Sequence, residues 1–129
     1  MRLLLDTQAF LWYITNDPKL PPYAFDAIRN KSNAVFLSVV SVWEALVKFQ
    51  IGKLSLPSPP DEYLNSRRLA HGIEPLDLEL GAVSQLLSLP PHHRDPFDRM
   101  LVCQARHHDL TVVTTDQLLP SYPVAILRA

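Results

Sequence analysis

The sequence predicts an α/β fold, a central parallel sheet covered by helices on both faces. Three observations carry this. Short, mainly apolar runs at residues 3–5, 34–38 and 110–114 have the look of strands buried on both sides. Between them apolar residues recur at helical spacing. Strands that alternate with helices build parallel sheets with right-handed crossovers.

The first strand is expected over residues 2–6, three leucines running into Asp6. A helix follows through Leu11, Trp12 and Ile14 and ends near Asn16-Asp17-Pro18, where proline bars continuation. A second helix starts at Pro21-Pro22 and runs to about Asn30, with Tyr23, Ala27 and Ile28 inward. AVFLS, residues 34–38, is the second strand. Val42, Trp43, Leu46, Val47 and Ile51 then recur at helical spacing, with Gly52 placed to stop the helix. Trp12 and Trp43 follow the apolar period and are expected in core or interface packing.

KLSLPSPP is an extended connector. Residues 61–70 read as a short helix, 71–75 as a brief third strand. A helix from Asp77 should carry Leu80, Val83 and Leu87 on one face. LPPHHRDP is a loop, 96–107 a helix, 110–114 a strand, TDQLLPSY a turn and 123–127 a final strand.

A chain of 129 residues holds one core, so a single domain over residues 1–129 is expected. Its net charge of −1 is no basic footprint, and a polyanion substrate would need local Lys/Arg and metal ions. The single cysteine, Cys103, excludes an internal disulfide or a multi-cysteine zinc site. A reducing cytoplasm fits that usage. Leu3 to Leu5 is too short for a secretory core, and AVFLSVVSVW is too short to cross a bilayer.

Four acids share one placement. Asp6 ends the first strand. Glu44 falls in the first turn of the helix after the second strand, Asp98 in the first turn of the helix from Pro96, and Asp116 just after VVTT. In a parallel sheet, strand C-termini and the helix N-termini that follow lie on one edge, where α/β folds bind ligands. Each acid has a plain alternative as a helix-start residue. Ser41-Val42-Trp43-Glu44 fits a capping box, and Asp95-Pro96-Phe97-Asp98 fits an N-cap, a proline at N1 and an acid at N3. Caps, however, require no acid at the end of the central strand with three more on its edge. Four carboxylates in one cleft repel each other, and two divalent cations would cancel their charge. All-oxygen ligands suit Mg²⁺ or Mn²⁺, and such pairs of ions clamp phosphodiesters during hydrolysis.

LLLDTQAFLW, SVVSVWEALVKFQIGKLSLP, HHRDPFDRMLVCQA and TVVTTD, in this order, resemble the PIN-domain ribonucleases, in particular the VapC-type toxins of toxin–antitoxin pairs. The resemblance implies an α/β/α sandwich and metal-dependent endoribonuclease activity, with Asp6, Glu44, Asp98 and Asp116 as catalytic and metal-binding acids and Asp95 as an N-cap. Asp6 and Asp98 are expected to bind the principal metal, with Glu44 and Asp116 acting through water or at a second site. Products with 5′-phosphate and 3′-hydroxyl ends are expected. Thr7, Ser38 and Thr114 are candidate hydroxyl donors to water or phosphate. Arg94, Arg99, Lys48 and Lys53 are candidate phosphate contacts, Arg99 first among them. Two positions depart from the subgroup: Gln8, often His, and Thr115, often Arg. The implied partners are a VapB-type antitoxin covering the cleft, an RNA substrate and a second copy in a homodimer.

The pairs His92-His93 and His107-His108 are expected in loop and helix-end roles, since neighbouring residues point apart and neither pair chelates well by itself. Cys103 reads as a small buried hydrophobe. A HAD-type phosphatase fits worse, because Gln8 stands where its second aspartate belongs, and a receiver domain lacks its lysine after VVTT. The competitor from another class is a PIN-like module that binds RNA or protein without cutting.

Overall fold

The computed structural model describes residues 1–92 and 95–129, and the readings made for His93 and Arg94 lie outside them. β1 (Arg2–Leu5) is the central strand. β2 (Ala34–Ser38) and β4 (Thr111–Thr114) flank it, and β3 (Glu74–Leu76) and β5 (Ile126–Arg128) form the edges. The order is β3-β2-β1-β4-β5 and every pairing is parallel. The expected parallel α/β architecture is therefore present.

Successive strand residues point to opposite faces, and β1 uses both. Leu3 and Leu5 join one core with Phe10, Ile14, Ile28 and Leu64. These come from α1 (Thr7–Ile14), α2 (Pro22–Arg29) and α4 (Pro60–Ala70). Leu4 joins the opposite core with Leu101, Val102, Val112 and Leu119, packed chiefly under α6 (Pro96–His108). All three leucines are fully buried. α3 (Val39–Gln50) bridges the two layers, since Val40 packs in the second core and Ala45 in the first. No helix among the described residues is long and apolar enough to cross a membrane.

Local chemistry sets the helix ends. Asp6 caps α1, Ser38 caps α3 and Asp95 caps α6, each side chain accepting from a backbone N–H of the first turn. Pro22 and Pro96 occupy first-turn positions where a missing N–H costs nothing. Gly52, at φ 78°, takes the left-handed conformation just after α3.

Several expectations are corrected. α3 starts at Val39, so Glu44 lies in its second turn, and Ser38 rather than Ser41 caps the helix. Trp43 is 58% exposed, with its ring edge-on to Phe97 at 4.8 Å, and is not a core residue. In α2, Ala24 and Ile28 face inward while Tyr23 is 55% exposed. Its hydroxyl instead donates to the Arg128 carbonyl. β3 begins at Glu74, after a turn in which Gly72 has φ 65°. The helix expected from Asp77 is only α5 (Leu80–Ser84), continued by a 3₁₀ turn over Gln85–Ser88. Its inward residue is Ala82, while Leu80 is 81% and Leu87 94% exposed. β5 lies at Ile126–Arg128, slightly later than expected.

Leu4→Ala empties a fully buried position on the central strand. The expected loss is about 2–5 kcal/mol, read as a lower urea midpoint at unchanged slope. Leu87→Ala, at an exposed site, should stay within about 0.5 kcal/mol of the parent.

Candidate metal centre

Asp6 is the first residue beyond β1 and is almost fully buried. Its Oδ1 accepts from the Ala9 N–H at 2.7 Å. Its Oδ2 accepts from the Thr114 hydroxyl at 2.7 Å and the Thr115 N–H at 3.0 Å. The carboxylate is thus fixed by its own helix and by the end of β4. Burial raises its pKa, the three hydrogen bonds oppose that, and nearby Glu44 adds to the rise.

Glu44 is buried on α3 and is held equally tightly. Oε1 accepts from the Thr7 hydroxyl at 2.6 Å, and Oε2 accepts from Lys48 Nζ at 2.6 Å, one helical turn on. Burial alone would lower the Lys48 ammonium. The hydrogen bond and charge of Glu44, helped by Asp95 and Asp98, reverse this and raise it. Asp116 is drawn in by β4, its N–H donating to Thr114 Oγ1 at 2.9 Å, while its Oδ1 accepts from the Leu118 N–H at 2.7 Å. Asp98 occupies the first turn of α6. Burial first, then the charges of Asp95, Glu44, Asp6 and Asp116, push its carboxyl up to about 7.

These acids line one open cavity of about 560 Å³, together with Asp95, Thr7, Gln8, Leu11, Lys48, Lys53, Leu54 and Thr115. The four acids singled out in the sequence are brought together from β1, α3, α6 and the end of β4. Asp95 combines two positions, capping α6 through the Phe97 N–H at 2.9 Å and lining the cavity. Its place one helical turn before Asp98 was the available signal. The departures Gln8 and Thr115 both line the wall.

The predicted hydroxyl donors are engaged with other side chains. Thr7 and Thr114 direct their hydroxyls at Glu44 and Asp6, so they orient the carboxylates. Ser38 is fully buried outside the cavity, donating to Gln104 Oε1 at 2.5 Å and accepting from the Val40 N–H. Arg99 does not line the cavity either. Its Nε is buried without a hydrogen-bond partner among the described residues, and its charge acts on Cys103. Among the described residues, Lys48 and Lys53 are the cations that reach the cavity wall. Cys103 is buried, as expected.

Among the described residues, five carboxylates face two lysines, and carboxylate oxygens match the needs of a hard divalent cation. Asp6, Glu44, Asp98 and Asp116 fit such an ion, whose charge would offset the burial and repulsion that lift Asp98.

Without a metal, the Asp98 carboxyl is pushed up to about 7 in the folded protein, well above the ordinary carboxylate value of 3.8. Between those values the folded state binds more protons than the unfolded state, so this group's contribution to stability is full at low pH and falls as pH rises towards 7. Asp98→Asn should flatten that part of the melting-temperature profile. An unchanged slope in thermal melts from pH 4 to 8 would reject the assignment.

A PIN domain family profile matches residues 3–124. Ribonuclease VapC16 of Mycobacterium tuberculosis is 31% identical over 52 residues, spanning 40% of this chain and 37% of that protein. Among solved structures, VapBC2 from Rickettsia felis bound to a promoter DNA fragment superposes with a TM-score of 0.75 at 16% identity, covering 100% of this chain and 99% of that one. DNA-bound VapBC from Salmonella typhimurium gives 0.69 at 19% identity, covering 99% and 98%. The profile match runs from the central strand past the last of the four acids, and with it the chain belongs to the PIN-domain family.

Proposed function

We propose that this chain, as one PIN domain over residues 1–129, is a VapC-type toxin: a Mg²⁺- or Mn²⁺-dependent endoribonuclease held in check by a VapB-type antitoxin. The observation that carries the reading is the convergence of Asp6, Glu44, Asp98 and Asp116 on one cavity. The ribonuclease relative and the VapBC complexes of the same fold support it. Cytoplasmic action on RNA and a homodimer belong to the same proposal.

Asp6 and Asp98 would hold the principal ion, and Glu44 and Asp116 would complete the site directly or through water. A divalent ion held there supplies Lewis-acid stabilisation of phosphate charge and makes water a better nucleophile. The chain's own part is preorganisation. Thr7 and Thr114 fix two carboxylates in one orientation, so neither of these has to turn when substrate arrives. Lys48 and Lys53 meet the anionic backbone at the cavity wall and offset the repulsion between phosphate and acids. Hydrolysis leaves 5′-phosphate and 3′-hydroxyl ends.

Asp6→Asn keeps the shape of the capping residue and removes its charge. Cleavage of total RNA by the parent should require Mg²⁺ or Mn²⁺, stop with EDTA and fall at least about a hundredfold in the variant, as loss of a central electrostatic group does. Mapping of 5′-phosphate ends checks the products. Full activity in Asp6→Asn would reject the assignment, and RNA binding without any metal-dependent cleavage would identify a non-cutting module instead.

A further inference from the structure

The geometry points to a second metal site, separate from the acidic cavity, formed by Glu79, His107 and His108 where α5 meets the end of α6. We propose that it takes one zinc(II) or a similar borderline divalent ion and clamps α5 to α6. None of the three residues lines the acidic cavity. His108 lies ten residues beyond Asp98 on the same helix, which at a rise of about 1.5 Å per residue is roughly 15 Å away.

A carboxylate oxygen of Glu79 and one ring nitrogen from each histidine lie within 4.8 Å of one another. Tetrahedral zinc ligands at about 2.0–2.1 Å from the ion stand roughly 3.3–3.5 Å apart. Glu79 Oε2 and His107 Nε2 are already at 3.3 Å. Side-chain adjustment supplies the remaining closure, and the Glu79 side chain is 59% exposed. Two imidazoles and one carboxylate form a three-ligand set that leaves the fourth position to water. Imidazole nitrogen also selects against Mg²⁺, which prefers oxygen. The two centres would therefore sort metals by donor chemistry.

Two further features distinguish this cluster from a surface ion pair. The first is Gly81, in the first turn of α5: a Cβ there would stand 2.5 Å from His107 Cε1 and 3.0 Å from its Nε2. The ring is seated against bare backbone, a place that any side chain at position 81 would fill. The second is His108. Its Nε2 is buried with no hydrogen-bond partner among the described residues, whereas buried polar atoms are nearly always paired. An ion pair between Glu79 and a protonated His107 would account for their contact but does nothing for His108. Arg2 anchors the same turn from behind, donating to the His108 carbonyl at 2.7 Å. A cation at this helix C-terminus also faces the negative end of the α6 dipole.

Tag-free protein titrated with Zn²⁺ in excess Mg²⁺ should bind one ion per chain by calorimetry and melt at a higher temperature as zinc is added. Co²⁺ in place of zinc should give the visible absorption of a tetrahedral site with nitrogen ligands. Glu79→Gln and His107→Gln change exposed side chains, so the fold should survive, and each should weaken zinc binding by at least about tenfold, the cost of losing even a supporting partner. Gly81→Ala should do the same by displacing the ring. Asp98→Asn should leave zinc binding intact. No stoichiometric zinc binding in the parent would overturn the proposal. So would binding that survives both Glu79→Gln and His107→Gln, or binding lost in Asp98→Asn.

Discussion

The burial of β1 on both faces is the constraint on which everything else hangs. Leu3, Leu4 and Leu5 send side chains alternately into two cores and expose none of them. A strand covered on both sides cannot slip by one residue without exchanging its cores. Its register against Val35–Leu37 on one flank and Thr111–Val113 on the other is therefore fixed. Asp6 follows as the next residue, so its position is as determined as that of the leucines. The hydrogen bond from its N–H to the Val113 carbonyl, at 2.9 Å, carries the sheet ladder up to the acid itself.

The acids stand there against their electrostatic preference. Burial and mutual repulsion raise Asp6 and Asp98. What opposes this at Asp6 is hydrogen bonding from Ala9, Thr114 and Thr115. Glu44 is held by the Thr7 hydroxyl and the Lys48 ammonium. The edge is stable enough to fold and still charged enough to want cations. Threonine serves well because one hydroxyl can accept and donate at once. Thr114 takes the Asp116 N–H and gives its proton to Asp6, coupling two acids through one side chain.

Much of this was legible in the residues. The second strand and the helix from Pro96 follow from period and capping chemistry, and the four acids from their shared place at strand ends and helix starts. What escaped depends on neighbours distant in sequence. Thr7 and Glu44 are 37 residues apart and Thr114 and Asp6 are 108, so no local pattern joins hydroxyl to carboxylate. The Ser41–Glu44 spacing mimics a capping box, but Ser38 ends the strand and reaches the helix first. Apolar spacing at Leu80 and Leu87 says nothing about which face meets α6, and small Gly81 and Ala82 permit the approach. Arg99 adjoins Asp98 in the chain, yet successive helical residues diverge by about 100°, which turns its charge toward Cys103.

The strand order also has a consequence for when the acidic cavity comes into being. β4 pairs directly with β1, although they stand at opposite ends of the chain. A growing polypeptide that has not yet released Thr114 lacks the hydroxyl that clamps Asp6, the strand that flanks it and the acid that follows. Early segments can collapse around Leu3 and Leu5, but the cavity waits for long-range pairing, the slow part of folding for such topologies. The site thus cannot form before Asp116 has been made, and a copy truncated ahead of β4 carries its early acids without their geometry.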